Sequence, residues 1–235
     1  MRILGVDSSG LVASVAVVED DVLLAEYTVN TKQTHSETLL PMLDEITHMI
    51  DLDMSQIDAI AVAAGPGSFT GLRIGGAMVK GLAEASGKPI VAIPTVDGLA
   101  YNLYGTDAMV CPIMDARRNQ VYTGLYDFQK FKDIYNMNCL MEQKPMGIDE
   151  LIDVINKMAR DVVFLGDGVP VFYEQLEQGL KCTHTYAPAF MNRQRAATIA
   201  TLALEYVAED KIVSAADFAP EYLRLSQAER EAAEK

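Results

Sequence analysis

This sequence of 235 residues predicts an α/β fold in which one structural unit occurs twice, each unit a mixed five-stranded sheet flanked by helices. Three observations carry that expectation. One succession of patterns (strand, strand, strand, helix, strand, helix, strand) runs through the first half of the chain and again through the second. In each half short turns join the first three strands, which pairs them antiparallel, whereas helical crossovers join the later ones in parallel. The length suffices for two buried cores, with half of the residues hydrophobic and 22% charged. No apolar run approaches the roughly 20 residues that cross a bilayer.

The first half opens with an apolar strand, Ile3 to Val6, then runs at Val12 to Val18 and Val22 to Val29. A helix follows at about Ser36 to Ile50, with Thr34 and Glu37 at capping-box spacing. Leu39, Leu43, Ile46 and Ile50 form a stripe on it that any core-facing helix would show. Pro41, in its early interior, removes a hydrogen bond and kinks the axis. Next come a buried strand at Ile57 to Ala64, a glycine-rich helix from near Thr70 to Ser86, and a strand at Ile90 to Ile93. Gly87 and Pro89 supply the stop for that helix.

The second half repeats the order with strands at Met109 to Met114, Gln120 to Phe128 and Ile134 to Met141. A helix at about Asp149 to Arg160, a strand at Val162 to Leu165, a helix at about Val171 to Gln178 and a strand at Cys182 to Tyr186 complete it. A closing helix, about Arg195 to Glu209, has Ile199, Leu202, Tyr206 and Val207 on one face. These patterns predict an N-terminal lobe (1–105) completed by the closing helix (193–210), a C-terminal lobe (106–192) and a tail (211–235), with the boundary near Gly105-Thr106-Asp107. In the tail, the stretch from Ser226 to Lys235 reads as frayed helix or disorder, and Pro220 to Arg224 as a docking peptide. A mixed sheet made twice in this order is the architecture of the actin, hexokinase and Hsp70-type ATPases, an RNase H-like fold.

The most informative stretch is Gly65-Pro66-Gly67-Ser68-Phe69-Thr70-Gly71-Leu72-Arg73. A strand, a glycine turn and a helix N-terminus together offer backbone N–H groups to an anion. The GxxxxGK[ST] spacing is not met, however, and Lys80 lies too far along the helix to reach a phosphate at its start. Gly75, Gly76 and Gly81 fall inside the helix, each costing about 1 kcal/mol relative to alanine. With Gly71, Ala77, Ala83 and Ala85 they leave a surface nearly free of side chains. Either the helix packs tightly on its own sheet, or part of that face belongs to a second chain.

Composition bounds the function. The formal net charge is −14, with 33 acids against 19 bases, and no basic cluster exceeds the Arg117-Arg118 or Arg193/Arg195 pair. A chain that held RNA by itself would draw its affinity from Lys and Arg on phosphates, so an acidic surface fits a basic protein partner better. Cys111, Cys139 and Cys182 are far apart, with no CxxC pair, which argues against a disulfide framework or zinc knuckle and suits a reducing cytoplasm. Arg2 precedes only a short apolar run ended by Asp7, which predicts a first strand and not a signal peptide.

With that layout and the glycine stretch in hand, the chain resembles the TsaB (YeaZ) family. Four more segments agree: Asp7-Ser8-Ser9; His35-Ser36-Glu37-Thr38-Leu39-Leu40-Pro41; Asp115-Ala116-Arg117-Arg118 with Val121-Tyr122; and Pro220-Glu221-Tyr222-Leu223-Arg224. The resemblance implies a cytoplasmic subunit needed to make threonylcarbamoyladenosine at position 37 of tRNAs that read ANN codons. It also implies no active site or cofactor of its own, a related catalytic partner, TsaD, and an ATPase, TsaE. A homodimer of the isolated chain, contact with tRNA only through the complex, and no membrane contact belong to the same expectation.

The residues agree with a non-catalytic role. The catalytic paralogue carries a metal on an HxxxH pair, but this chain has only His35, His48 and His184. Two imidazoles at 35 and 48 on one helix are roughly 20 Å apart at 1.5 Å per residue, on nearly opposite sides, so no metal site is expected. An ATPase of this fold needs two phosphate-binding turns. Asp7-Ser8-Ser9-Gly10 keeps something of the first, with Asp7 either a magnesium ligand or a cap on the turn. In the second, Asp115-Ala116-Arg117-Arg118 puts long side chains where a phosphate needs glycine backbone, and Gly166-Asp167-Gly168 is a lone GxG. Asp7, Ser8, Ser9, Asp115, Gly166 and Gly168 are therefore expected to be vestigial nucleotide-site positions. The Arg117-Arg118 pair reads as a solvated turn, or as touching an acidic surface or a nucleotide between subunits.

No G-x-S-x-G elbow or catalytic cysteine motif is present, so no catalytic residue is assigned. The alternatives are a sugar-kinase-like phosphotransferase and a metalloprotease. Leu39, Leu43, Gly71, Arg73, Gly75, Gly76 and Ala77, on the two long helices of the first lobe, are the expected partner-binding positions.

Overall fold

Two five-stranded sheets with one strand order form the frame of the protein. The structure is a computed structural model describing residues 1–31 and 33–224, so the expectation for 226–235 lies outside the described residues. The first sheet holds β1 (Arg2–Asp7), β2 (Ala13–Glu19), β3 (Val22–Val29), β4 (Ala59–Gly65) and β5 (Ile90–Pro94), arranged β3-β2-β1-β4-β5. The second holds β6 (Met109–Asp115), β7 (Gln120–Phe131), β8 (Ile134–Gly147), β9 (Val162–Leu165) and β10 (His184–Tyr186), arranged β10-β9-β6-β7-β8. Read from the opposite edge this is the same order, with the first strand of each half between its antiparallel second and its parallel fourth. The duplicated actin- and hexokinase-like α/β architecture expected from the sequence is the one observed.

Helices cover the outer faces of both sheets, and two more lie between them. On the first sheet, α1 (His35–Met49) and α2 (Phe69–Ser86) bury Leu39, Met42, Leu43, Ile46 and Val79 against Leu4, Val6, Val15, Ile60 and Val62. The opposite face, carrying Ile3, Ala59, Ala61 and Ile93, meets α3 (Thr95–Ala100) and α6 (Ala196–Ala208). Val110, Met114, Tyr126 and Leu165 of the second sheet close the same cluster from the far side. Beyond that sheet, α4 (Ile148–Met158) and α5 (Val169–Gly179) pack Leu151, Ile155, Phe172 and Leu176 onto Met109, Ile113 and Phe164. Alternate strand residues thus serve opposite cores, as the two-residue period of a strand requires.

The sequence of α6 explains its place. Ala196, Ala200 and Ala203 let it press onto β1, where a Cβ on Gly5 would lie 2.4 Å from the Ala196 carbonyl oxygen. Its N-terminus leaves backbone N–H groups without helical partners. Ala196 N donates to Ser14 Oγ (2.9 Å) and Ala197 N to Glu26 Oε1 (3.2 Å). Arg195 Nε donates to Glu26 Oε2 at 3.0 Å, so β2 and β3 cap a helix far away in sequence.

Three elements depart from expectation. Thr95–Ala100 forms α3, which is too short and too uniformly buried to show a helical period in sequence. The strand expected to end at Met141 continues to Gly147, because a bulge around Gly124 lets β7 stay paired through Gln120↔Gly147. The strand expected from Cys182 begins at His184, which pairs with Val162.

Candidate functional site

A cleft of about 570 Å³ opens where the ends of the two sheets meet. On one side lie Ser9, Gly10 and Gly67; on the other, Asp115, Arg117 and Arg118; Glu221 to Arg224 also line it. The β1–β2 turn is tied to itself. Asp7 Oδ1 accepts from Ser9 N (2.9 Å) and from Ser9 Oγ (2.7 Å). Burial raises the Asp7 carboxyl to about 6, while the Ser9 bonds and nearby His35 pull it down. Ser8 Oγ donates to the Gly71 carbonyl at 2.8 Å, and His35 Nε2 donates to the Gly10 carbonyl at 2.9 Å. Ser9 reaches the cleft wall, whereas Asp7 and Ser8 lie behind it.

The β6–β7 turn is unusual. Arg117, Arg118 and Asn119 have φ of 63, 56 and 58°, a left-handed run that costs side-chain-bearing residues on the order of 1–2 kcal/mol each. The surroundings hold it. Arg117 N donates to Asp115 Oδ1 (2.7 Å), its guanidinium pairs with Asp115 Oδ2 (2.9 Å), and Ile148 N donates to the Asn119 carbonyl (3.2 Å). The Asp115 carboxylate is therefore engaged by the arginine beside it. Asp115 N donates to Asp167 Oδ1 at 3.2 Å, and burial raises the Asp167 carboxyl. Gly166, at φ 108°, and Gly168 pack on Ile113, whose carbonyl accepts from Gly168 N at 3.0 Å. The GxG turn thus closes onto the end of β6; of the expected positions Asp115, Gly166 and Gly168, Asp115 lines the cleft, with Asp167 beside it.

The seven expected partner-surface positions divide. Leu39 and Leu43 lie in the outer core of the first sheet. Gly71 and Gly75 face the β1–β2 turn, where a Cβ would come within 2.1 Å of the Ser8 carbonyl oxygen or 2.2 Å of Ser8 Oγ. Gly76 faces Phe218 and Pro220. These five are buried in the chain's own packing, a correction to their reading as surface. The bare glycine face exists because the chain folds its own first turn and tail against it. Arg73 and Ala77 remain exposed, and beside them Gly81 faces open space. Leu40, 58% exposed, stands on α1.

Sequence reasoning missed how Pro220 to Arg224 is used. Glu221 N donates to the Ala64 carbonyl (2.7 Å), the Tyr222 ring lies 4.6 Å from Phe69, and Arg224 Nη1 donates to the Ala116 carbonyl. Gly65, at φ 126°, signals the close approach, because a Cβ there would sit 2.1 Å from the Glu221 carbonyl oxygen. The three histidines bond in separate places: His35 to Gly10, His48 to Asp44, His184 to Glu177. Among the described residues no group of three or more His, Cys, Asp or Glu is placed to hold a metal ion. No described helix is long and apolar enough to cross a membrane.

Fold and cleft together define a duplicated α/β scaffold with a cleft between its β1–β2 and β6–β7 turns. A family model described as TsaD, tRNA N6-adenosine threonylcarbamoyltransferase, matches residues 23–232. The tRNA threonylcarbamoyladenosine biosynthesis protein TsaB of Bacillus subtilis is 32% identical over 97% of this chain and 96% of its own length. Its Haemophilus influenzae namesake is 28% identical over 82% of this chain and 81% of its own. A crystal structure from Pseudomonas aeruginosa, described as an uncharacterized protein with similarity to peptidase YEAZ, superposes with a TM-score of 0.80. It is 28% identical and covers 95% of this chain and 99% of its own. The chain belongs to the TsaB (YeaZ) family, within the wider group that the TsaD model describes.

Proposed function

We propose that this chain acts in the synthesis of threonylcarbamoyladenosine on tRNA as a cytoplasmic, non-catalytic subunit. It binds a TsaD-type catalytic paralogue and, with the ATPase TsaE, supports transfer to adenosine 37 of tRNAs that read ANN codons. The observation that carries this reading is the state of the two phosphate turns. Asp7 is engaged by Ser9 and Asp115 by Arg117, so the acids that would serve a nucleotide hold the scaffold instead. The net charge of −14 supports contact with tRNA only through a partner. The exposed face of α1 and α2, bearing Leu40, Arg73, Ala77 and Gly81, is the proposed docking surface for TsaD, or for a second copy of this chain when TsaD is absent.

The test mixes the purified chain with its cognate TsaD and TsaE and measures complex mass and tRNA modification with each subunit omitted in turn. Modification should require all three. Ala77→Arg should abolish co-purification with TsaD at unchanged thermal stability. Modification by this chain alone, or an unaltered complex with the Ala77→Arg variant, refutes the reading.

A further inference from the structure

The geometry points to residues 218–224 being an intramolecular clamp, rooted in the first half, whose tip spans the cleft to the second half. The segment is rooted in the first half. Phe218 is buried beneath α2, its carbonyl accepts from Lys80 Nζ at 2.9 Å, and its ring meets Gly76. Glu221 N extends this attachment to the Ala64 carbonyl at the end of β4, and the Tyr222 ring packs tilted by 35° against Phe69. Arg73 covers the same spot, its guanidinium 3.9 Å from the Phe69 ring centroid and its Nε donating to Tyr222 Oη at 3.3 Å.

Attachment to the second half is of a different kind. Gln143 Nε2, on β8, donates to Glu221 Oε2 at 3.2 Å, and Arg224 Nη1 donates to the Ala116 carbonyl beside the left-handed turn. Both are polar, and neither involves a packed apolar side chain. The segment therefore hinges on the first half and detaches from the second, because the root buries an aromatic ring whereas the tip exchanges hydrogen bonds with water at little net cost. Glu221 to Arg224 line the cleft together with Met114 to Arg118, so detachment of the tip uncovers that side of it.

Hydrogen exchange on the full-length protein tests this. In an Arg224→Met variant, amides of 114–122 should exchange about tenfold faster, with those of 65–72, beneath the root, and of α4 unchanged. Adding Glu221→Ala should increase the effect, whereas Glu221→Gln alone, which keeps an acceptor for Gln143, should preserve protection. Unchanged protection of 114–122 in both the single and the double variant overturns the clamp. If the double variant loses protection throughout, the Arg224→Met single variant decides.

Discussion

The Tyr126 hydroxyl, on the second sheet, donates to Asp97 Oδ1 of α3 at 2.6 Å, inside the apolar layer that both sheets share. Burial raises the Asp97 carboxyl, and this bond is what opposes the rise most. In Tyr126→Phe the carboxyl moves further up and its ionised form is penalised more. Stability should therefore fall by about 1–3 kcal/mol, more at pH 8, where ionisation is enforced, than at pH 5. Urea unfolding at the two pH values measures this, and an equal loss at both contradicts the account.

Asp7 gives a second pH signature. Its folded value of about 6 stands above the ordinary 3.8, so the folded state takes up a proton that the unfolded chain does not hold. The contribution is most favourable below the unfolded value and is lost as pH rises through 6, by roughly 3 kcal/mol. Asp7→Asn keeps an oxygen for the two Ser9 donors but removes the titration. Its stability relative to the parent should rise between pH 4 and pH 7, followed by denaturant midpoints; a flat difference across that range contradicts the assignment.

Two glycines of α2 should respond with opposite sign. Gly81 has nothing within 4 Å of an added Cβ, so Gly81→Ala should stabilise by about 1 kcal/mol through helix propensity alone. Gly71→Ala places a methyl 2.1 Å from the Ser8 carbonyl oxygen and should destabilise by roughly 1–3 kcal/mol. Thermal unfolding of the pair tests this directly. For the same reason Gly75→Leu, whose Cβ would lie 2.2 Å from Ser8 Oγ, should destabilise the monomer.

Glu26 serves both Arg195 and the first turn of α6. Replacing it by alanine leaves a partly buried guanidinium and a helix-terminal N–H without their acceptor. A loss of about 2–4 kcal/mol is expected in equilibrium unfolding, with little relief from added salt. A loss below 0.5 kcal/mol, the scale of an ordinary surface substitution, would place the pair among exposed ones.

Most of the frame was legible because strands and long helices repeat their apolar residues at a fixed period, and the pattern occurs twice. The capping box forms as read, with Thr34 N donating to Glu37 Oε2 at 3.3 Å. Composition cannot say which neighbour a bare helix face meets. Gly71, Gly75 and Gly76 were legible as a close approach, but the approaching groups, Ser8, Phe218 and Pro220, are distant in sequence. α3 was hidden because Val96, Leu99 and Ala100 are buried along with Thr95 and Gly98, leaving no polar face to mark a period. The place of Pro220 to Arg224 depended on Ala64, Phe69, Gln143 and Ala116 converging, which only the fold accomplishes.

The bond between Ser14 and Ala196 spans 182 residues, and it has a consequence for birth on the ribosome. At about 5–20 residues per second the emerging N-terminal strands wait roughly 10–40 s for the segment that covers their inner face. During that interval Ala16 and its neighbours are shielded only by whatever attends the nascent chain. Expressed without residues 196–208, the first hundred residues should therefore be recovered as aggregate, or bound to a chaperone.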